Sequence, residues 1–147
     1  MPNGVLRAAY LRNKAVEYAW VWIGTPYKYG GDDFSSFDCS GFIHEFLQSV
    51  GLEKHGFDSR ACDLFERFKE NEVARGYAGC LVFWFTSTLA THVMLMIDDM
   101  LCMGAAGGGS STLTETDAIK QNAYIKIRPV NYRGQGYVIV DPFKEIE

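Results

Sequence analysis

The chain lacks several features that would assign it to a class at once. Its 147 residues contain no apolar run approaching the length of a transmembrane helix, and its N-terminal stretch lacks the uninterrupted apolar segment of a secretory signal. Its 14 Lys and Arg residues are scattered and the net charge is −4, so the basic surface of a phosphate-backbone binder is missing. We therefore expect no membrane and no nucleic-acid partner, and a cytoplasmic chain unless another machine exports it.

Metal-binding spacing is also absent. The four cysteines show no Cys-x-x-Cys or other zinc-like pattern, and a reducing compartment would keep them as thiols. The sequence therefore predicts neither a metal nor a cofactor. Cys62, Cys80 and Cys102 are expected to be buried core residues, because free cysteine is among the most buried residue types.

Apolar residues, by contrast, are plentiful. Hydrophobic types make up 48% of the chain and aromatic residues 14%, and no linker-like stretch divides the sequence. We therefore predict a packed core and one domain spanning residues 1–147.

Three helices are predicted in the first half of the chain. The first has a suitable N-cap in Asn3 and an apolar stripe at helical spacing. The stripe consists of Val16, Ala19, Trp20 and Ile23. The second helix begins at Cys39 and stops at Gly51, and the third covers about 59–71.

Beyond residue 80 the pattern changes to short apolar or alternating runs, which are typical of strands. The runs are Leu81–Phe85, Val93–Ile97, Ile125–Arg128 and Tyr137–Val140. Asp98 and Asp99 are placed to close a hairpin. Helices first and strands later predict an α+β fold, with the N-terminal helices packed on an antiparallel sheet. The glycine-rich segment 104–111 predicts a loop, with a backbone surface lining a cleft as the alternative.

Cys39 has the most suggestive position in the sequence, at the start of the second helix. Backbone N–H groups and the helix dipole stabilise negative charge there, which favours the thiolate. The spacing to Phe42 and Ile43 also turns Cys39 toward whatever that helix packs on, which we expect to be the sheet. A thiolate held there becomes a nucleophile if a histidine on the sheet can reach it.

The chain offers three histidines. His44 lies about 140° around the helix from Cys39, so we expect a surface or otherwise satisfied residue, and His55 lies in a charged loop where a solvated role is expected. His92 opens the apolar run at Val93, a rigid location suited to a general base.

Taken together, the Cys39 and His92 segments resemble the NlpC/P60 family of cysteine peptidases. The matching motifs, in order, are Gly24-Thr25-Pro26-Tyr27-Lys28-Tyr29-Gly30-Gly31, Asp38-Cys39-Ser40-Gly41-Phe42, Gly79-Cys80-Leu81-Val82-Phe83-Trp84 and Thr91-His92-Val93. A lone Asp-Cys-Ser-Gly is a weak signal, but the ordered combination is strong.

The resemblance implies a circularly permuted papain-like α+β domain. It makes Cys39 the nucleophile and His92 the base, in an enzyme that hydrolyses amide bonds of bacterial cell-wall stem peptides. It also implies that Tyr27, Asp38 and Ser40 shape the site and hold the peptide. The alternatives are purely structural roles, namely an N-cap for Asp38 or Ser40 and a core position for Tyr27.

One position departs from the family pattern. A third polar residue orients the histidine in the family, and the corresponding position here is about Gly104, which has no side chain. A backbone carbonyl, or a polar residue from elsewhere in the chain, is needed instead, and otherwise the enzyme is weak or inactive. The polar candidates are Asn122, Asn131, Asp117 and Gln135.

The C-terminal part resembles extensions of NlpC/P60 proteins encoded by phages. That resemblance implies delivery to the cell wall by a virion or a holin, with phage tail proteins as partners. Two rival functions remain open: a catalytically inactive tail or assembly module, and an intracellular hydrolase of free muropeptides or other γ-glutamyl amides.

Overall fold

The structure is a computed structural model that describes residues 3–29, 32–33, 36–109 and 111–147. Gly30 and Gly31 of the first motif, and Ser110 of the glycine-rich segment, lie outside the described residues.

The three predicted helices are present near their predicted positions, and the structure adds a fourth. Within the described ranges the α-helices are Gly4–Trp20 (α1), Cys39–Gln48 (α2), Ala61–Phe68 (α3) and Glu115–Gln121 (α4), and short 3-10 helices cover Lys69–Asn71 and Pro142–Glu145. Helix α4 was not predicted, because it is short and buries only Ala118, so no apolar stripe marks it. None of the helices described is long and apolar enough to cross a bilayer.

Helix α1 confirms its predicted N-cap and part of its predicted stripe, because Ala19 is buried and Val16 packs against the core. The Asn3 side chain accepts a hydrogen bond from the Leu6 N–H at 3.0 Å. Trp20 is 45% exposed, and Ile23 lies beyond the helix end. The buried line of α1 is Ala8, Ala15 and Ala19. Small alanines allow α1 to pack closely on its neighbours, and a search for large apolar residues does not find Ala8 and Ala15.

The predicted antiparallel sheet is present. Its strands are Glu72–Val73 (β3), Leu81–Thr86 (β4), Leu89–Met96 (β5), Leu101–Ala106 (β6), Tyr124–Pro129 (β7) and Tyr137–Val140 (β8), in the order β3-β8-β4-β5-β6-β7. A separate two-stranded ladder joins Asp32–Asp33 (β1) to Ser36–Phe37 (β2). The fold is therefore a mixed helix and antiparallel-sheet structure.

The hairpin at Asp98 is confirmed, with β5 paired to β6. The Asp98 carboxylate accepts hydrogen bonds from the N–H groups of Met100 and Leu101, at 2.8 and 2.7 Å. The predicted loop at 104–111 begins later than expected, because Gly104, Ala105 and Ala106 belong to β6. Ala105 and Ala106 are both buried, because their small side chains fit in a strand that is covered on both faces.

Both faces of the sheet are buried, and successive strand residues alternate between them. Phe83, Val93 and Leu95 face the core formed with α2 and α3, which we call the helix-side face. Trp84, Met94 and Met96 belong to a second core, which we call the far face. A part of the chain that follows β7, including Val130 and Tyr132, covers this far face.

Candidate active site

Cys39 is the first residue of α2, as the sequence predicts. Asp38 is the N-cap, and its Oδ1 accepts a hydrogen bond from the Gly41 N–H at 2.7 Å. The Ser40 hydroxyl donates to the same oxygen at 3.3 Å. The capping role considered for Asp38 is therefore correct, and it fixes the backbone on which the Cys39 thiol is carried.

The Cys39 side chain opens into a cavity of about 260 Å³. Tyr27, Asp38 and Ser40, the three residues that the family resemblance selects for substrate, line the same cavity. The structure thus brings all three together around the thiol. The rest of the lining is Tyr29, Arg60, Ala61, Cys62, Leu89, Ala90 and Thr91, none of which the sequence had selected for this role.

The glycine-rich loop, in its described part, packs against Tyr27 without lining the cavity itself. A Cβ built on Gly108 would lie 2.4 Å from Cδ1 of the Tyr27 ring, so only glycine lets the backbone pack this closely. The Tyr29 N–H donates to the Thr112 carbonyl at 2.7 Å. The loop therefore supports Tyr27 from behind, and none of its described residues lines the Cys39 cavity.

Cys62 corrects the expectation that three cysteines are buried in the core. Cys80 and Cys102 are buried, but Cys62 is partly exposed and lies on the cavity wall. Its place in the first turn of α3 explains this, because that end of the helix borders the cavity rather than the sheet.

The expectation of a resting thiolate at Cys39 is wrong. Burial raises the pKa of the Cys39 thiol to about 11, and the Asp38 carboxylate raises it further. Three backbone N–H groups, those of Val93, Ser40 and Cys39, lower this pKa, but by less than burial and Asp38 raise it. Burial and the Asp38 charge therefore outweigh the helix N-terminus, so Cys39 rests as a thiol.

His92 lies within β5 rather than at its edge. It is opposite Trp84 in β4, whereas Phe85 is opposite Ala90, so Thr91 is an extra residue and forms a β-bulge. The bulge turns Ala90 and Thr91 toward the Cys39 cavity, while the imidazole lies with Trp84 at a ring separation of 5.3 Å. The His92 ring therefore belongs to the far face.

The structure brings the thiol to the backbone of the His92 segment but does not join the two side chains by a hydrogen bond. The thiol lies beside the N–H of Val93, the residue after His92. The ring nitrogen Nε2 instead lies 3.0 Å from the Tyr132 hydroxyl. Among the residues that the structure describes, Nδ1 has no hydrogen-bond partner.

Burial also sets the charge of His92. Its side chain is 7% exposed, and burial, with a weaker contribution from Arg133, lowers the pKa to about 3. The imidazole is therefore neutral at ordinary pH, which is the form that can accept a proton. Proton transfer from a thiol of pKa about 11 is strongly unfavourable in this conformation.

Tyr132 is the residue that the sequence search missed. None of the four polar candidates has a described hydrogen bond to His92: Asp117 and Asn122 lie at the two ends of α4, and Asn131 and Gln135 are exposed. Tyr132 stands in a polar turn, Asn-Tyr-Arg-Gly-Gln-Gly, where an aromatic residue is the one weak signal of a buried contact.

The other two histidines are placed as expected. His44 is buried and satisfied, with Nδ1 2.6 Å from Glu53 Oε2 and Nε2 2.9 Å from the Ser59 carbonyl oxygen. His55 is exposed. Within the described ranges, no group of three or more His, Cys, Asp or Glu side chains is placed to hold a metal ion.

Known proteins give an independent view of this arrangement. The profile of the NlpC/P60 family matches residues 24–129. Protein P54 of Enterococcus faecium is 35% identical over 83 residues, which are 56% of this chain and 16% of that protein. The chain thus spans about a sixth of that relative.

Solved structures agree on the fold. The NlpC/P60 domain of the peptidoglycan hydrolase SagA is 23% identical, with a TM-score of 0.65 over 87% of this chain and 97% of that domain. The peptidoglycan hydrolase RipB of Mycobacterium tuberculosis is 20% identical, with a TM-score of 0.68 over 90% of this chain and 65% of RipB. An NlpC/P60 family protein of Bacillus cereus is 18% identical, with a TM-score of 0.70 over 90% and 40% of the two chains.

Proposed function

Because the chain belongs to the NlpC/P60 family, we propose that it is a cysteine peptidase that hydrolyses amide bonds in bacterial cell-wall stem peptides. The single observation that carries the proposal is the Cys39 thiol, which opens from the start of α2 into the cavity beside the His92 strand. SagA and RipB, which share this fold, are named peptidoglycan hydrolases, and this supports the substrate class.

The proposed reaction begins with removal of the Cys39 proton by Nδ1 of His92. The sulfur attacks the amide carbonyl carbon, the negative charge on oxygen is stabilised by backbone N–H groups near Cys39, and the imidazolium donates its proton to the leaving amine. Water then hydrolyses the thioester, with His92 again taking and returning a proton. Because the pKa of Cys39 is raised and that of His92 is lowered, substrate binding must change the surroundings of the two groups so that their pKa values approach each other.

The charges of the cavity support a carboxylated peptide as substrate. Arg60 lies on the wall with its side chain 81% exposed, and its guanidinium can bind a carboxylate in a two-pronged manner. Tyr27 and Tyr29 offer aromatic surface on the same cavity. Stem peptides combine free carboxylates with short side chains, and among the described residues that line this small cavity Arg60 is the cation that can bind a carboxylate, with Asp38 as the anion beside the thiol.

The route to the wall is proposed from the sequence. Delivery by a phage, with tail proteins as partners, is supported by the resemblance of the C-terminal part to extensions of phage-encoded NlpC/P60 proteins. The protein is then expected in purified virions, detectable by mass spectrometry. A pool confined to the cytosol of uninfected cells would contradict this route.

The activity test compares wild type with Cys39→Ala and His92→Ala. Each protein is incubated with intact peptidoglycan and, separately, with soluble stem peptides, and new amines are identified by mass spectrometry. Each substitution is expected to lower turnover at least about a thousandfold, because nucleophile and base act as a unit. His55→Ala, in which an exposed histidine is removed, is the matched control and should retain wild-type turnover.

The rival functions give different patterns in the same test. A non-enzymatic tail module predicts no new amines from any of the proteins. An intracellular muropeptide hydrolase predicts Cys39-dependent cleavage of soluble peptides with intact peptidoglycan left unchanged. Circular dichroism of each variant shows whether a loss of turnover reflects chemistry or unfolding.

A further inference from the structure

The space around His92 is shaped by the missing side chain at position 104. A Cβ built on Gly104 would lie 2.8 Å from Cγ of Met94, closer than Cβ atoms approach other carbons in proteins. Gly104 therefore leaves room that the Met94 side chain fills. Met94 is fully buried in this position, two residues after His92 on the same face of β5.

Met94 in turn determines what the Tyr132 hydroxyl can do. The Tyr132 O–H donates to Met94 Sδ at 3.5 Å, and its oxygen lies 3.0 Å from His92 Nε2. A thioether sulfur has no proton and can only accept, whereas a phenol has one proton to give. When that proton goes to the sulfur, the phenol oxygen can only accept, and the proton between Tyr132 and His92 lies on Nε2.

This proton arrangement selects one form of the neutral imidazole. With Nε2 protonated, the lone pair is on Nδ1, because a neutral ring has one N–H and one acceptor nitrogen. Nδ1 is the nitrogen without a described hydrogen bond, and the neighbouring Val93 N–H lies beside the Cys39 thiol. The lone pair is therefore on the nitrogen that must receive the thiol proton.

The Tyr132 ring is held firmly enough to perform this task. Trp84 packs edge-on against it at a ring separation of 5.5 Å, and the Arg128 guanidinium lies 4.9 Å from the ring centre. Trp84 also contacts the His92 ring. Three aromatic rings therefore fix one another, and rotation of either His92 or Tyr132 would disturb all three.

We infer that Tyr132 is the positioning residue of His92, and that Met94 directs the phenol proton so that His92 carries its own proton on Nε2. This inference rests on the proposed function, in which His92 is the base. As Nδ1 takes the thiol proton, the ring becomes positive and the Nε2–H bond to the phenol oxygen strengthens. A residue outside the expected position thus replaces the side chain that Gly104 lacks.

Tyr132→Phe tests the inference because it removes the hydroxyl and keeps the ring. The expected result is a fall in kcat of about tenfold to a hundredfold, the range found when an orienting partner of a functional histidine is lost, with KM changed less than about twofold. Nitrogen-15 NMR of the imidazole gives a second readout that needs no activity. Wild type should show the proton on Nε2, and the variant should gain the form protonated on Nδ1.

Met94→Leu keeps the Tyr132 hydroxyl and removes only the sulfur that accepts its proton. Leucine keeps an apolar side chain of similar volume but has no acceptor, so Tyr132 becomes free to donate to Nε2. We expect a smaller fall in kcat than in Tyr132→Phe, together with a gain of the Nδ1-protonated form. Tyr137→Phe, which removes a phenol hydroxyl beside the same Trp84, is the matched control and should leave both readouts unchanged.

The outcomes distinguish this inference from the proposed function. Loss of the Nε2-protonated form in Tyr132→Phe supports the inference even if no hydrolysis is found, whereas wild type without Cys39-dependent hydrolysis contradicts the proposed function alone. The inference is overturned if wild type carries the proton on Nδ1. It is also overturned if Tyr132→Phe loses activity while its imidazole keeps the wild-type form, because the role of Tyr132 would then be structural.

Discussion

His44 and His92 are both buried, with 1% and 7% of their surfaces exposed, yet their surroundings shift the pKa in opposite directions. Burial lowers the pKa of each imidazole. At His44 the hydrogen bond and charge of Glu53, at 2.6 Å, outweigh burial and raise the pKa above its usual value. At His92 the partner is the neutral phenol of Tyr132, so burial prevails.

The comparison shows that the charge of the partner, rather than depth, decides what a buried histidine does. A carboxylate partner makes His44 part of a charged cluster that joins α2 to the Glu53 loop and, through Arg67, to α3. A phenol partner keeps His92 neutral and able to accept a proton. One histidine is therefore suited to stability and the other to chemistry.

The largest expected effect comes from breaking the charged cluster. Glu53→Ala removes the carboxylate that compensates the burial of His44, and breaking a buried pair in this way costs about 3–5 kcal/mol. The free energy of unfolding, measured with urea, should fall by that amount at pH 7. Glu66→Ala removes an exposed carboxylate paired with Lys69 and should change stability by less than about 1 kcal/mol.

The next effect is the pH dependence of stability that His92 creates. The unfolded chain binds a proton on this histidine below about pH 6.5, whereas the folded protein resists it to about pH 3. The destabilisation from His92 is therefore absent above pH 6.5 and grows as the pH is lowered, by about 1.4 kcal/mol per pH unit. His44 acts with the opposite sign, since its contribution is complete below pH 6.5 and is lost as the pH rises through its raised pKa.

Urea unfolding between pH 7 and pH 5 measures this dependence. Wild type should lose about 2 kcal/mol more than His92→Gln over the interval, because glutamine does not titrate. His55→Gln provides the control, since an exposed imidazole should leave the wild-type slope unchanged. If the free energy of unfolding changed equally with pH in wild type and His92→Gln, burial would not lower the pKa of His92.

A smaller effect is expected at the glycine that leaves room for Met94. Gly104→Ala places a methyl group 2.8 Å from Met94 Cγ and should cost about 1–2 kcal/mol of stability through overpacking. The His92 surroundings should change while those of His44 do not, as seen in the NMR signals of the two rings. Gly136→Ala is the control, because a Cβ there meets open space.

The smallest effect concerns the thiol beside β5. Asp38 raises the pKa of Cys39 as Glu53 raises that of His44, but for a thiol the charged form is the one disfavoured. Asp38→Asn keeps a good N-cap and removes the charge, so alkylation of Cys39 at pH 8 should become roughly threefold to tenfold faster. Asp99→Asn removes an equal charge far from the cavity and should leave the rate unchanged, as followed by peptide mass spectrometry.

Prediction from the sequence succeeded where local pattern and local chemistry coincide. Asp38 and Cys39 at a helix start, and the hairpin at Asp98, depend on neighbours a few residues away. It failed in part at α1, where Trp20 is exposed while Ala8 and Ala15 are buried, and at Cys62, whose exposure depends on which elements meet at the cavity. Neither outcome is visible in spacing.

The sequence by itself determined the family, the helix-then-sheet order and the thiol at a helix N-terminus, because each follows from motifs and periodicities within short segments. Only the tertiary structure decided the protonation of that thiol and the partner of His92. Burial is set by the whole packed core, and Tyr132 reaches His92 from 40 residues away along the chain. Interactions of that kind arise from folding and leave no periodic signal in the sequence.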